Sequence, residues 1–185
     1  YTVGAGDTSS DLTVSSYTLG SSSAVVQDIY GNEASSTALP SGRNLADNSA
    51  LVIDTTIPTS TISSAKYNGS TGVITITGEN FNTLGVANGV DVKSYLDWTK
   101  LSWDIDGDDA TTANVAFTES SITSAVVTNE TTLTITLTSS AKSTLEGTTK
   151  FAAAGSADKL DVTVGFIKDV AGNAATADAK SDAAI

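Results

Sequence analysis

Apolar and polar residues alternate along short stretches of this chain. The clearest stretch is residues 132–138, TLTITLT, in which Leu and Ile occupy every second position and Thr occupies the others. In a β-strand successive side chains point to opposite faces, so Leu133, Ile135 and Leu137 would share one face. Residues 99–105, TKLSWDI, alternate in the same way. We expect both stretches to be strands with one apolar face in a core.

The remaining β-type stretches are short, rich in β-branched residues and separated by turn residues. They lie at residues 11–14, 52–54, 60–65, 73–77 and 160–166. A short helix is expected at residues 139–147, where Gly147 would end it. Many short strands with hardly any helix predict an all-β protein, and specifically a β-sandwich.

A motif of nine residues occurs twice in the chain. Residues 26–34, VQDIYGNEA, recur as residues 167–175, IKDVAGNAA. Each copy follows a β-type stretch, and in each an Asp precedes Gly-Asn, residue types that tolerate the positive φ of tight turns. The motif predicts a strand that runs into a tight turn, and its repetition indicates a modular array. Residues 26–34 are called the first turn and residues 167–175 the second turn.

The boundary between two modules is expected at residues 52–58, VIDTTIP. A strand ends there, and Pro58 stiffens the crossing and holds the preceding residue in an extended conformation. The modules are therefore expected at residues 1–57 and 58–185. Residues 85–97 are rich in loop-forming residues, and we interpret them as an inserted loop in the second module.

Composition excludes several kinds of chemistry. The chain of 185 residues has no Cys and no His, so it has neither a thiol nor the commonest general base, and we expect no enzymatic activity. Its 21 acidic and 9 basic residues give a net charge of −12, which repels the phosphate backbone of nucleic acids. No apolar run is long enough to span a membrane. We interpret the acidity either as a means of solubility or as a supply of oxygen ligands for Ca²⁺.

The densest acidic cluster is residues 104–109, DIDGDD. Alternating carboxylates around a Gly can surround a hard cation, since Ca²⁺ takes about six to eight oxygen ligands. Asp104, Asp106 and Asp108 are therefore candidate Ca²⁺ ligands, although the cluster lacks the Gly and Glu positions of an EF-hand. The alternative is a solvated acidic hairpin tip that binds no ion.

Several short motifs occur together in an order that resembles a known family. They are YTVGAGD at residues 1–7, DIYGN at 28–32, LADN at 45–48, VIDTTIP at 52–58, ITGENF at 76–81 and DVAGN at 169–173. These motifs resemble the immunoglobulin-like repeats of very large secreted bacterial proteins, many of which are adhesins exported by type I secretion. The resemblance covers most of the chain.

The resemblance implies an all-β fold of tandem immunoglobulin-like β-sandwich modules with Ca²⁺ as the cofactor. In this family the turn motif and the linker Asp commonly hold Ca²⁺. That implies Asp28, Asn32 and Asp54 as ligands at one junction, and Asp169 and Asn173 at the other end. The alternative for each turn is an Asx-type turn that needs no ion. Where Ca²⁺ binds, it would join like-charged carboxylates and convert a hinge into a rigid joint.

The resemblance also implies that the first module is incomplete. Residues 1–57 resemble the second half of a repeat, and half a sandwich exposes an apolar face and open strand edges. We expect those strands to be completed either by the second module or by a neighbouring copy, in the manner of β-strand addition. The alternative is that the sequence is an arbitrary fragment.

The sequence therefore predicts a non-enzymatic structural protein that is displayed outside a bacterial cell. It would be a segment of a stiff adhesin stalk, or a subunit whose open edges pair with other copies in a filament or lattice. The hypothesis from a different class is a ligand- or glycan-binding adhesin module that uses residues 85–97 and an exposed Trp98. Trp103 is assigned to core packing, because it alternates with Leu101 and Ile105.

Overall fold

The structure is a computed structural model that describes residues 2–36, 38–39, 41–105, 107, 114–152 and 158–184, with the backbone alone for 181–184. The chain forms two compact units, Tyr1–Thr56 and Ile57–Ile185, which are called the first unit and the second unit. The division between them falls inside the VIDTTIP motif.

Ten strands and two short α-helices make the described part of the chain predominantly β. The strands are β1 Thr8–Ser9, β2 Ile53–Asp54, β3 Thr61–Asn68, β4 Val73–Glu79, β5 Leu101–Asp104, β6 Val115–Ala116, β7 Ile122–Asn129, β8 Thr132–Leu137, β9 Lys159–Val162 and β10 Lys180–Ala184. The helices are α1 Leu45–Asn48 and α2 Ser139–Glu146, and short 3-10 turns lie at Phe81–Leu84, Lys93–Tyr95, Trp98–Lys100 and Glu119–Ser121. The expected all-β class is confirmed, because the strands pair in antiparallel sheets and the helices are few.

The second unit contains two four-stranded antiparallel sheets. One has the order β3-β4-β8-β7 and the other has the order β10-β9-β5-β6. Side chains from both sheets join one apolar core. Trp103 of β5 is 1% exposed, and its ring meets that of Tyr67 of β3 edge to face, with 5.1 Å between the centroids. Burial of large side chains from both sheets is the main source of stability for this unit.

The predicted alternation is confirmed in β8, and the predicted helix follows it. Leu133, Ile135 and Leu137 are buried, while the Thr residues between them are partly exposed. Thr138 caps the N-terminus of α2, because its Oγ1 accepts the N–H of Ala141 at 3.2 Å. The strand and the helix therefore begin and end close to the positions that the sequence predicts.

Residues 84–97 lie along the outer edge of β7 and are called the edge segment. The N–H of Gly89 donates to the carbonyl of Val127 at 2.9 Å, and the N–H of Val92 donates to the carbonyl of Ala125 at 2.7 Å. Val92 is fully buried. The expected inserted loop is thus fixed to the sheet, and it covers backbone groups that an open edge strand would leave unpaired.

The first unit is built differently. Its two strands, β1 and β2, form a two-stranded antiparallel sheet. Asn44 caps α1, and its side-chain amide also bonds the backbone of Val14. None of the described residues between 2 and 56 is buried. This part of the chain therefore has no apolar core of its own, although domains normally depend on one.

Candidate functional site

The first turn closes through three backbone hydrogen bonds. The N–H of Asp28 donates to the carbonyl of Asn32 at 3.1 Å, and the N–H of Gly31 donates to the carbonyl of Asp28 at 3.1 Å. The N–H of Ala34 donates to the carbonyl of Val26 at 2.8 Å. Gly31 has a φ of +83°, a conformation that residues with a Cβ rarely adopt. The tight turn predicted from the motif is confirmed.

The second turn has the same three hydrogen bonds. The N–H of Asp169 donates to the carbonyl of Asn173 at 3.1 Å, and the N–H of Gly172 donates to the carbonyl of Asp169 at 3.0 Å. The N–H of Ala175 donates to the carbonyl of Ile167 at 2.9 Å. The φ of Gly172 is +92°. The two turns are therefore built alike, at an offset of 169 − 28 = 141 residues.

In each turn the Asp carboxylate accepts three N–H groups. Asp28 Oδ1 accepts from the backbone N–H of Tyr30 at 2.9 Å and of Asn32 at 3.0 Å, and its Oδ2 accepts from Asn32 Nδ2 at 2.8 Å. Asp169 accepts from the N–H groups two and four residues further on and from Asn173 Nδ2, each at 2.9 Å. These donors lower the pKa of the Asp28 carboxyl, and the side-chain hydrogen bond from Asn32 is the largest cause.

The surroundings of the two turns differ. In the second turn Asp169 is 2% exposed and Ile167 is fully buried. In the first turn Val26 is 46% exposed, Ile29 is 90% exposed and Tyr30 is 84% exposed. The local geometry of the motif is thus independent of its burial, and only the second turn is part of a packed core.

Asp178 supports the second turn from outside the motif. It is fully buried, and its Oδ1 accepts the N–H of Gly165 at 2.8 Å while its Oδ2 accepts the N–H of Ile167 at 2.7 Å. Sequence reasoning missed this residue, because an Asp three positions after the motif resembles any other acidic residue of an acidic chain. Only the fold shows that it satisfies two buried backbone donors.

The second turn and Phe166, the residue before it, are attached to the edge segment by three contacts. The N–H of Val170 donates to the carbonyl of Leu84 at 3.1 Å, and the N–H of Asp97 donates to the carbonyl of Phe166 at 2.8 Å. Lys168 Nζ lies 2.9 Å from Asp97 Oδ2. The pKa of the Asp97 carboxyl is lowered, first by a hydrogen bond from the Thr99 side chain and then by that of Lys168.

Neither turn by itself fits a Ca²⁺ ion. A carboxylate has about four lone-pair positions, and N–H donors take three of them at Asp28 and three at Asp169. Asn32 and Asn173 turn their amide N–H groups, which are donors, toward the carboxylates. Because Ca²⁺ takes about six to eight oxygens, an ion at either turn would depend on oxygens from elsewhere. Ca²⁺ binding by these four residues stays a prediction.

The other predicted ligands lie at strand ends or outside the described residues. Asp54 ends β2, and its Oδ1 accepts the N–H of Thr56 at 2.9 Å. Asp104 ends β5 and is fully buried, opposite Lys159 in the register of β5 and β9. Asp106 and Asp108 lie outside the described residues. Within the described ranges, no group of three or more His, Cys, Asp or Glu residues is placed to hold a metal ion.

The expectation that Trp98 is an exposed sugar-binding platform is wrong. Trp98 is 5% exposed, its indole N–H donates to the carbonyl of Lys93 at 2.9 Å, and its ring packs edge to face on Phe166 at 5.7 Å between the centroids. The residue begins a 3-10 turn that directs the indole into the core. Trp103 is buried as predicted.

Two surface hollows of the second unit carry no carboxylate among their lining residues. One, of about 240 Å³, lies between α2 and the residues around Phe117. The other, of about 460 Å³, lies on the hairpin of β3 and β4 beside Tyr67. Neither hollow therefore holds the pair of carboxyl groups that hydrolysis of a glycoside requires.

Comparison with known protein families, with curated proteins and with solved structures found no match to this chain. Among the helices of the described residues, none is long and apolar enough to cross a membrane.

The two turns offer a matched pair of substitutions. We expect Asp169→Ala to lower the free energy of unfolding of the second unit by about 2 kcal/mol, because it removes three hydrogen bonds at a buried position. Asp28→Ala should change that free energy by less than about 0.5 kcal/mol, since Asp28 lies on the surface of the first unit. Urea unfolding followed by tryptophan fluorescence measures the second unit alone, because both Trp residues, Trp98 and Trp103, belong to it. Equal losses in the two variants would contradict the prediction.

Proposed function

We propose that this chain is a non-enzymatic structural module of an extracellular bacterial surface assembly, either an adhesin stalk or a self-assembling filament or lattice. One observation carries the proposal, namely that both units contain the same arrangement of strand, turn and strand. In each unit a strand, β1 or β9, comes before an Asp-x-x-Gly-Asn turn with the same hydrogen bonds. A strand after the turn, β2 or β10, then pairs antiparallel with the strand before it. Repetition of one structural unit along a chain supplies length and stiffness rather than a reaction site.

The strand order of the second unit supports an immunoglobulin-like sandwich. Constant-type immunoglobulin domains place strands A, B, E and D in one sheet and strands C, F and G in the other. If β3, β4, β7 and β8 are strands A, B, D and E, the order β3-β4-β8-β7 is A-B-E-D. If β5, β9 and β10 are strands C, F and G, the order β10-β9-β5 is G-F-C. In the same scheme β1 and β2 of the first unit take the places of F and G.

The packing of the second unit suits a load-bearing role. One apolar core joins both sheets, and β9 is paired along both of its edges, with β5 and with β10. A strand that is paired on both sides separates only when two rows of hydrogen bonds break together. The position outside a bacterial cell is proposed from the resemblance of the motifs, as are the open strand edges that pair with neighbouring copies or repeats.

Ca²⁺ is proposed as the ion that stiffens the joints of this assembly. The net charge of −12 supports a cation requirement, since carboxylates gathered at a joint repel one another without a counter-ion. The proposal also depends on Asp54 and on the acidic cluster that begins at Asp104 as sources of further oxygen ligands, since Ca²⁺ takes about six to eight of them.

We expect a chelator in excess to lower the melting temperature and to loosen the joint around Asp54, which small-angle X-ray scattering would detect as a larger radius of gyration. Asp54→Asn should abolish the response to the chelator, and Asp11→Asn is the matched control, because Asp11 also belongs to the first unit but is not a predicted ligand. Melting curves and scattering profiles that do not change in the chelator would contradict a Ca²⁺-stiffened joint.

Electron microscopy of the same samples separates the two forms of the proposal. A stalk segment stays monomeric with and without Ca²⁺, whereas a subunit of a filament or lattice assembles with other copies when Ca²⁺ is added. A compact monomer that turned over a small molecule and did not respond to Ca²⁺ would count against both forms.

A further inference from the structure

The first turn presents apolar side chains at positions where the second turn is buried. With the offset of 141 residues, Val26 corresponds to Ile167, which is fully buried, and Val25 corresponds to Phe166, which is also fully buried. Val26 and Val25 are 46% and 51% exposed. The turn itself is formed equally well in both units, so what differs is the surface against which it packs.

The second unit shows what that surface consists of. In the edge segment, the carbonyl of Leu84 accepts the N–H of Val170, and the N–H of Asp97 donates to the carbonyl of Phe166. The sheet β3-β4-β8-β7 contributes to the apolar core that encloses Phe166 and Ile167. Strand β5 pairs along the edge of β9 that β10 leaves open. Strand β9, the second turn and strand β10 thus pack against an apolar face, form two backbone hydrogen bonds with the edge segment and pair with one further strand, β5.

The described residues of the first unit contain no counterpart of this surface. Strand β1 pairs with β2 in a sheet of two strands. Most large apolar side chains among the described residues of this unit are exposed, Val25, Val26, Ile29 and Tyr30 among them, while Leu12, Leu19 and Ile53 are half-buried. Because none of the described residues of this unit is buried, these side chains are available to pack against another polypeptide.

We propose that residues 2–56 dock on the complementary half of a neighbouring repeat, a polypeptide segment built like residues 57–152. This inference rests on the proposed function, since it narrows the partner of the open edges to a repeat of the same class. The partner presents an apolar face to Val26, a carbonyl to the N–H of Ile29, an N–H to the carbonyl of Val25 and a strand to the open edge of β1. Main-chain pairing supplies affinity, and the apolar pockets supply register.

A second copy of this chain is a less suitable partner for residues 2–56 than a neighbouring repeat. Its second unit already uses both sheets to enclose its own core. The described residues of a second first unit offer neither a buried apolar face nor a four-stranded sheet on which this element could pack.

One position defines the specificity of this partner. Lys168 of the second turn pairs with the Asp97 carboxylate of the edge segment, but the corresponding residue of the first turn is the neutral Gln27. The partner of the first turn therefore does not need an acidic residue at the place of Asp97, and a neutral hydrogen-bonding side chain suits it better.

The test compares two proteins, the full chain and the full chain extended before Tyr1 by a second copy of residues 57–152, which carries the sheet, the edge segment and β5. Amide hydrogen exchange is followed by mass spectrometry in peptides that span residues 24–36 and 165–177. In the unextended chain we expect the first peptide to exchange about a thousandfold faster than the second, because local opening costs little where few contacts are buried. In the extended chain the exchange of residues 24–36 should slow at least about tenfold, and that of residues 165–177 should not change.

Substitutions in the extended chain provide the control. Val26→Asp should abolish the slowing, since it places a charge where Ile167 is buried in the second unit, and Ser22→Asp, at an exposed position outside the turn, should preserve it. No slowing in the extended chain would overturn the proposal. Protection of residues 24–36 in the unextended monomer would also overturn it, and so would protection accompanied by a doubled mass in sedimentation, which would identify a second copy as the occupant. None of these readouts depends on Ca²⁺ or on assembly, so failure here is distinguishable from failure of the proposed function.

Discussion

Replacement of Gly78 by Ala is expected to lower the free energy of unfolding of the second unit by more than about 3 kcal/mol. Gly78 lies in β4 opposite Ile62 of β3, where the register of the two strands shifts. A Cβ at Gly78 would overlap the carbonyl oxygen of Thr61 and would lie 2.8 Å from Cζ of Phe81. The first neighbour is backbone and the second is a fully enclosed ring, so neither can move away cheaply.

The control for this prediction is Gly69→Ala in the turn between β3 and β4. A Cβ at Gly69 would meet Glu146 Oε1 at 3.3 Å, and that carboxylate is the end of a partly exposed, flexible side chain. We expect Gly69→Ala to cost less than about 1 kcal/mol. Urea unfolding followed by tryptophan fluorescence measures both variants, and a Gly78→Ala variant as stable as Gly69→Ala would show that the close packing of β3 on β4 is wrong.

The strands that the sequence predicts are those whose apolar residues alternate without interruption. β8 is the clearest case, since Leu133, Ile135 and Leu137 lie on one buried face. β7 was not predicted, because a register shift between Ile122 and Ser124 places Ile122 and Ala125, three positions apart, on the same buried face. A bulge of this kind breaks the period of two on which sequence analysis depends.

β10 was not predicted for a different reason. Its sequence, KSDAA, has no β-branched or aromatic residue, and it forms a strand because β9 offers an edge for pairing. Tertiary context overrides weak β-propensity at such a position. The same limit applies to the edge segment, whose loop-forming composition does not reveal that Val92 is buried against β7.

The candidate site also has features that the sequence predicts and features that it does not. The turns follow from the sequence, because the positions of Asp, Gly and Asn determine the local hydrogen bonds. Their burial does not, since the same Asp-x-x-Gly-Asn pattern is exposed at Asp28 in one unit and enclosed at Asp169 in the other. Trp98 does not belong to an alternating stretch, and the 3-10 turn that places it in the core leaves no periodic pattern from which its burial could be predicted.

Substitution of Asp178 is expected to have the next largest effect, because two buried backbone donors depend on this one carboxylate. Asp178→Ala would leave the N–H groups of Gly165 and Ile167 without their acceptor, at a cost of about 1 to 3 kcal/mol for each. Asp178→Asn would keep one acceptor oxygen but would turn an NH₂ group toward the other N–H. We therefore expect the order of stability Asp, then Asn, then Ala, with a total loss of about 2 to 6 kcal/mol for the Ala variant.

Because Asp178 holds the strand that enters the second turn, its loss should also be visible locally. The amides of residues 165–177 should exchange faster in Asp178→Ala than in Asp169→Ala, since the first change frees the backbone at Gly165 and Ile167 and the second frees it only within the turn. Exchange of residues 132–137 in β8 serves as the reference for global unfolding. If the Asn and Ala variants were both as stable as the parent chain, the two N–H groups would have to find other acceptors, and Asp178 would not be the residue that holds the second turn in the core.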